Sequence, residues 1–467
     1  MGYRIIKGLT QNYGTLQPHS TLVKKIAVLG AGRSAGPLIE YLATHPDSRA
    51  WSVSVYDQDA ETLARKTASF SNIRVASADL ANPELLETIV AEHDVVVSML
   101  PAFMHLPVAE RCLRLEKHLV TASYISPEMQ AMHHAAQAKG LVWVNECGVD
   151  PGIDHMSTME ILHRLRGQGA EITSYESFCG GILAPESPSN PWSYKFTWNP
   201  RNVVMAGSGG AVHFVQEGKF KHIPYHQVFR RTEFLDIPGY GRFEGYANRD
   251  SLKYQSAYGL ENVGTMYRGT LRRPGFCRAW DVFVKLGATD DSYPLEHVDR
   301  MTHRDFLNTF LAYHPTDRVE LKLMHYLNIS QDSDLMEKLE WLGLFTDEPV
   351  GLEQGTPAQV LQHLLMKKWT MTDADVDMLA MIHRIEYRLD GQDFSLQSSL
   401  IAKGKSAEVT AMSYTVGWPV AMATRLVALD LIPERGVLMP NIPSLYEPIL
   451  RELGERGIRF DERIQRK

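Results

Sequence analysis

Lys24-Lys25-Ile26-Ala27-Val28-Leu29-Gly30-Ala31-Gly32-Arg33-Ser34-Ala35-Gly36-Pro37 decides the fold. A short apolar run ends in glycine, as a buried strand does, and the residues after it read as a tight turn entering a helix. Pro37 suits the first turn of that helix, where a missing N–H costs little. Gly30, Gly32 and Ala35 fit the pattern G-x-G-x-x-G/A: the first allows the turn, the second lets main chain approach a pyrophosphate, and the third keeps helix close to sheet. The pyrophosphate would rest on the helix N-terminus, where free N–H groups and the dipole favour negative charge. An ordinary strand–helix turn can carry the same residues. The context favours a dinucleotide: a strand before, a helix after, and Asp57 closing the next strand.

Working outward, WSVSVYD (51–57) is a second strand, 59–70 a helix, and 73–76 a third strand. Residues 83–92 are helical, and DVVVSMLP (94–101), HLVTASY (118–124) and LVWVNECG (141–148) are further strands. Strands alternating with helices at this spacing mean a parallel sheet covered on both faces. The fold class is therefore α/β, with a Rossmann-type domain over 24–149 preceded by an N-terminal extension, 1–23. After Gly148 the texture becomes rich in Gly, Pro and aromatics, with β-type runs such as ITSYESF and AWDVFVKL, so 150–300 reads as an α+β domain whose sheet is mainly antiparallel. Residues 301–409 read as a helical subdomain, including DADVDMLAMIHRIEY (373–387). A long apolar helix, 416–432, is expected to pack back so that 410–467 completes the first domain.

A chain of 467 residues is too long for one ordinary core, and 44% hydrophobic with 22% charged residues is average for a globular protein. A net charge of -7 speaks against a general nucleic-acid binder. Cys112, Cys147, Cys179 and Cys277 show no metal-ligand spacing and read as reduced, buried thiols, which suits a cytoplasmic protein; no metal is expected. No apolar run is long enough to span a membrane, and 1–22 lack the apolar core of a secretory signal.

In a doubly wound sheet the ligand crevice lies at the carboxyl ends of the strands. Asp57 there would accept from a ribose 2′-OH and repel a 2′-phosphate, favouring NAD; Arg33 cuts the other way, since it can reach a 2′-phosphate, and NADP stays the alternative. Ser98 ends the fourth strand, and Ser123 and Tyr124 end the fifth, where they face a ligand or serve as a cap and a packed ring. In Asn145-Glu146-Cys147-Gly148-Val149-Asp150-Pro151-Gly152-Ile153-Asp154-His155, Asp150 is a candidate acceptor for an amine or a proton, or only a turn residue. Asp154 is a candidate N-cap, and His155 reads as structural. Arginines in YANRDS (246–251) and RGTLRR (268–273) are either carboxylate clamps or solvated surface charges.

Taken together, GAGRSAGP, VVSMLPAFMH, HLVTASYISPEM, NECGVDPGIDH, CGGILAPESPSNPWSYKFTW, YANRDS, RGTLR and RGVL, in this order, resemble the glutamate-forming saccharopine dehydrogenases, also called saccharopine reductases. The resemblance implies a Rossmann domain joined to a substrate and dimerisation domain with a helical part, and hence a homodimer. It implies the interconversion of saccharopine, NAD(P)+ and water with L-glutamate, 2-aminoadipate 6-semialdehyde and NAD(P)H. Saccharopine contacts would fall on Ser123, Tyr124, Asp150, Arg249, Thr270, Leu271 and Arg272, with Asp150 and Tyr124 nearest the chemistry. Cofactor contacts would fall on Gly30, Gly32, Arg33, Ser34, Ala35, Asp57, Gln58, Ala78, Asp79 and Ser98. Fungal members of the family use NADP and lack an acid at the Asp57 position, a departure that bears on the cofactor. Two other readings are a carboxynorspermidine dehydrogenase-like polyamine enzyme, disfavoured by retention of both NRDS and RGTLR, and a non-catalytic dinucleotide-sensing protein, disfavoured by dense polar motifs at strand ends.

Overall fold

The computed structural model describes residues 23–206, 210–331 and 333–467; most of the extension expected over 1–23 lies outside them. The strands are β1 (Lys25–Leu29), β2 (Ser52–Asp57), β3 (Ile73–Ser77), β4 (Val95–Ser98), β5 (His118–Thr121), β6 (Val142–Val144), β7 (Glu171–Leu183) and β8 (Val212–Gln216). They continue as β9 (Lys219–Ile223), β10 (Thr232–Ile237), β11 (Gly241–Ala247), β12 (Thr265–Arg272), β13 (Asp377–Leu389), β14 (Gln392–Lys403), β15 (Gly436–Leu438) and β16 (Phe460–Arg466).

Seven strands form a parallel sheet in the order β15-β6-β5-β4-β1-β2-β3. β4, Val-Val-Val-Ser, is buried at all four positions, because helices cover both faces and a parallel strand has no wet side. Gly30 turns the chain at φ 97°; a Cβ there would lie 3.1 Å from the Met99 carbonyl oxygen. The helix Ala411–Ala428 packs across the start of the helix Ala35–Thr44, and Gly417 permits it: a Cβ at that point would lie 2.7 Å from the Ser34 carbonyl oxygen. The chain thus returns to the first domain and contributes β15 beside β6.

The second sheet runs β10-β11-β12-β7-β13-β14-β16, with the β8-β9 hairpin attached to β12. It is mainly antiparallel, with β12 and β7 parallel. Three expectations are corrected here. AWDVFVKL, read as a β-type run, lies in the helix Phe276–Leu286, where Trp280 and Phe283 turn into the core. DADVDMLAMIHRIEY is not a helix; its residues from Asp377 onward form β13, at the centre of this sheet. Met378, Leu379, Ala380, Met381 and Ile382 are buried on both faces, and such a run lacks the alternation that separates a strand from a buried helix. The tail is also divided: β16 pairs with β14 rather than completing the first domain.

One core runs continuously from the first sheet to the face of the second that carries Tyr175, Cys179, Met266 and Met381. On the other face Trp192, Phe276, Trp280, Phe283 and Trp369 stack against helices of the 276–369 region. Each such side chain contributes roughly 1.5–3 kcal/mol of burial. Four of those helices, His303–Asn308, Val319–Leu327, Asp334–Trp341 and Pro357–Trp369, make up the helical part. All four cysteines are free and buried. No helix among the described residues is long and apolar enough to cross a membrane.

Candidate active site

The strands β5, β4, β1 and β2 are neighbours in the parallel sheet, and residues just past β1 and β5 meet the second domain: Arg33 bonds Trp198 O, and Tyr124 lies under Arg249. At β1 the helix Ala35–Thr44 begins without a side-chain cap on Ser34 and without an acid in its first turn. The amides of Gly32, Arg33 and Ser34 donate to no group among the described residues, and the space where Gly32 would carry a Cβ is open. Uncommitted N–H groups, a positive helix end and a side-chain-free approach fit a pyrophosphate. Asp57 closes this loop from behind. Its Oδ2 accepts from Ala31 N at 2.6 Å and its Oδ1 from Asp59 N at 2.9 Å, so both carboxylate oxygens hold main chain. Gln58 is exposed beside it; Ala78 N donates to Asp57 O at 2.9 Å, and Asp79 accepts from Ala81 N. Arg33 does not turn to the adenosine edge as the sequence allowed. Its Nη1 donates to Trp198 O at 3.1 Å and Phe196 O at 3.5 Å, because the second domain presents two carbonyls in front of the loop.

The ends of β4 and β5 are tied by a residue that sequence reasoning missed. Ser98 Oγ lies 2.8 Å from His105 Nδ1, and His105 Nε2 lies 2.6 Å from Ser123 Oγ. Burial lowers the imidazole to about 4, so at neutral pH the ring is uncharged, one nitrogen donating and the other accepting. His105 stands inside the VVSMLPAFMH run; its place seven residues after Ser98, at the start of the next helix, was the available signal.

Beyond β6 the chain turns through Gly148–Gly152 into the helix Ile153–Gly167. Glu146, 1% exposed, accepts from Tyr254 Oη at 2.8 Å and from Ile125 N at 2.9 Å, and pairs with His155 Nε2 at 2.9 Å. His155 Nδ1 bonds Tyr258 Oη. The structure therefore gives His155 a buried, bridging position. Asp154 is no N-cap: it follows the cap and accepts from Gly152 N at 2.6 Å. Arg268 Nη2 donates to Asp154 at 2.5 Å and to Asp150 at 2.7 Å. Burial raises the Asp150 carboxyl to about 6, Arg268 opposing and Asp154 adding to the rise. Asp154 is held low: burial works against it, but His155, Arg268 and the Gly152 amide prevail. The Tyr124 phenol is pushed up by burial and by Asp150, which keeps it a proton-bearing donor. Arg249 and Lys253 lie over the Tyr124 ring at 5.3 and 5.7 Å.

On β12 the two-residue period puts Arg268, Thr270 and Arg272 on one face, with Cys179 of β7 paired to Thr270; the guanidinium-bearing residues are separated by roughly 13 Å of strand. Their electrostatic states differ. Arg268 is neutralised by two carboxylates. Arg272 is 3% exposed, lies over the rings of Tyr194, Tyr246 and Phe276, and donates from Nη1 only to the Leu271 carbonyl at 2.8 Å. Its Nε has no partner, and no carboxylate among the described residues lies within ion-pair distance. Leu271 is fully buried, its side chain on the opposite face, and only its carbonyl reaches Arg272. Arg268, one of the RGTLRR arginines, is not among the residues the resemblance implies, although it stands four residues before Arg272 in the same strand. Among the described residues no cluster could hold a metal ion.

Residues 26–144 match the model of the saccharopine dehydrogenase NADP binding domain, and 148–458 that of the saccharopine dehydrogenase C-terminal domain. The chain belongs to the saccharopine dehydrogenase family. Within the curated proteins it is 30% identical to saccharopine dehydrogenase [NADP(+), L-glutamate-forming] of Schizosaccharomyces pombe, over 94% of this chain and 98% of that one. It is 32% identical to mitochondrial alpha-aminoadipic semialdehyde synthase of Mus musculus over 98% of this chain, which spans only 50% of that relative. The solved apo saccharopine dehydrogenase (L-Glu forming) of Saccharomyces cerevisiae superposes with a TM-score of 0.84 at 28% identity, covering 95% of this chain and all of that one. A homospermidine synthase of Legionella pneumophila, at 10% identity and a TM-score of 0.55, shares the fold alone. The family's first domain is thus of the NADP-binding kind, and the expectation of NAD as the primary cofactor finds no support in these matches.

Proposed function

We propose that the chain catalyses the NADP-dependent interconversion of saccharopine and water with L-glutamate and 2-aminoadipate 6-semialdehyde. The observation that carries this reading is Arg272: a buried guanidinium with an unpartnered Nε and no carboxylate within ion-pair distance among the described residues is a charge that a bound anion would compensate. Saccharopine brings three carboxylates. Arg272 clamps one of them, and exposed Arg249, with no carboxylate partner among the described residues, clamps another, each through the planar fork that suits that group. The Gly30–Ala35 loop holds the dinucleotide, which when bound supplies the acceptor for hydride. The chain's own groups manage protons and position. Asp150, with a carboxyl near 6, takes a proton from the secondary amine at neutral to alkaline pH. Tyr124 donates a hydrogen bond from a phenol held protonated, and Ser123, fixed by His105, offers a hydroxyl beside it. The imine so formed is opened by water to amine and aldehyde.

The family membership and the names of the full-length fungal relatives support the reaction. The test is direct: purified protein, saccharopine and NADP+ or NAD+, with absorbance of the reduced nicotinamide followed from neutral to alkaline pH. Reduction in the presence of saccharopine and NADP+ is expected. Folded protein that reduces neither cofactor would sink the assignment.

A further inference from the structure

The sequence sets Asp57 against Arg33 at the adenosine edge, and the structure commits both elsewhere: Asp57 to the amides of Ala31 and Asp59, Arg33 to carbonyls of the second domain. A third charge lies close enough to interact with both. The helix Ala60–Thr67, N-capped by Asp59, turns Leu63 and Thr67 into the core, which brings Lys66 of its last turn round to the glycine loop. Lys66 Nζ donates to the Gly32 carbonyl, at the point where the loop leaves open space. Arg65, beside it, is paired with Glu408 at 3.2 Å.

We propose that Lys66 is the specificity-determining residue for the cofactor, donating to a 2′-phosphate on the adenosine ribose while keeping its bond to Gly32. An ammonium has three donors, so the two contacts are compatible. The inference rests on reading the Gly30–Ala35 loop as a dinucleotide site and goes past it by naming the group that offsets Asp57. The state of the amine agrees: burial and repulsion from Arg65 lower it to about 8 against the pull of Asp57 and Glu408, Arg33 adding to the fall, and an arriving phosphate dianion favours its charged form. Because Asp57 spends both oxygens on main chain, its charge is partly satisfied before any ribose arrives, which weakens its veto on a 2′-phosphate.

Binding, not turnover, tests this. Quenching of protein fluorescence is titrated with NADPH, NADH and 2′,5′-ADP for the native chain, Lys66→Gln, Lys66→Arg and Arg65→Gln, with thermal unfolding of each. The native chain should bind NADPH more tightly than NADH. Lys66→Gln should lose about tenfold or more for NADPH and 2′,5′-ADP, the loss of a charge-assisted hydrogen bond, and stay within about twofold for NADH. Lys66→Arg should recover most of the loss, and Arg65→Gln should change little. An equal loss for NADPH and NADH would make Lys66 a loop support and overturn the inference, as would a native preference for NADH. A native chain that binds none of the three would overturn the dinucleotide reading itself.

Discussion

Arg268 and Asp150 lie 2.7 Å apart where the two sheets meet, one on β12 and the other at the turn beyond β6. The same guanidinium reaches Asp154 at 2.5 Å, so a single cation couples the two domains and balances two buried acids. Removing it strands both. Arg268→Met should therefore destabilise the fold by about 3–5 kcal/mol, the usual cost of breaking a buried pair from one side. Urea unfolding measures it. A loss within about 0.5 kcal/mol, as for a surface arginine, would show that the two acids find other partners.

His105 gives a second test. Burial holds its folded value at about 4, below the ordinary 6.5. A depressed value means that the unfolded chain binds the proton more tightly; the contribution to stability is present above about 6.5 and is lost as pH falls toward 4. His105 should thus stay neutral through pH 5 by NMR of the ring protons. His105→Phe should lower kcat/KM by leaving Ser98 and Ser123 unfixed, and should reduce the acid sensitivity of stability between pH 6.5 and 4. A ring that titrates at 6 or above would remove the neutral bridge.

The first domain was legible because strands there end in local signals: glycines after β1, Asp57 as the last residue of β2, Pro101 beyond β4. The second was less so. β13 reads as helix because a central strand buried on both faces loses its alternation, and only its partners, β7 and β14, define it. The site divides in the same way. Asp150, Tyr124, Arg249 and Arg272 stand in motifs conspicuous for their turns and charges, but which arginine is neutralised depends on contacts more than a hundred residues apart. Lys66 carries no motif at all; it is one lysine on a polar helix until the fold brings it to Gly32.

Asp150 should write its value into the pH profile. Burial and Asp154 raise it to about 6 from 3.8. In the direction that consumes saccharopine the acceptor must be ionised, so kcat/KM should fall on the acid side with an apparent value near 6 that Asp150→Asn abolishes along with most activity. The linkage to stability has the opposite sense to that of His105. A raised carboxyl stabilises the fold fully below about 3.8, and that contribution is lost as pH rises toward 6, so Asp150→Asn should gain stability relative to the native chain above pH 6. An acid limb unchanged in the asparagine variant would assign it to another group.

Arg272 offers the sharpest separation of roles, because its stability and activity effects should have opposite signs. With no carboxylate within ion-pair distance among the described residues and an unpartnered Nε, the free protein carries a buried charge it does not need. Arg272→Met keeps the apolar length that packs on Tyr194 and Phe276 and removes that charge, so it should unfold at the same or a higher temperature than the native chain. The same variant leaves a substrate carboxylate unpaired in a desolvated pocket, and kcat/KM for saccharopine should drop by about 2–4 kcal/mol. Lysine should rescue poorly, since a point charge cannot form the planar fork. NADPH affinity should hold, because the dinucleotide loop lies on the other domain. Arg249→Ala supplies the contrast: exposed and held only by a ring face, it should leave stability within about 0.5 kcal/mol while also lowering kcat/KM. If Arg272→Met is instead strongly destabilised and its kcat/KM is native-like when folded, the guanidinium is an internal brace for the aromatic cage and has no part in holding substrate.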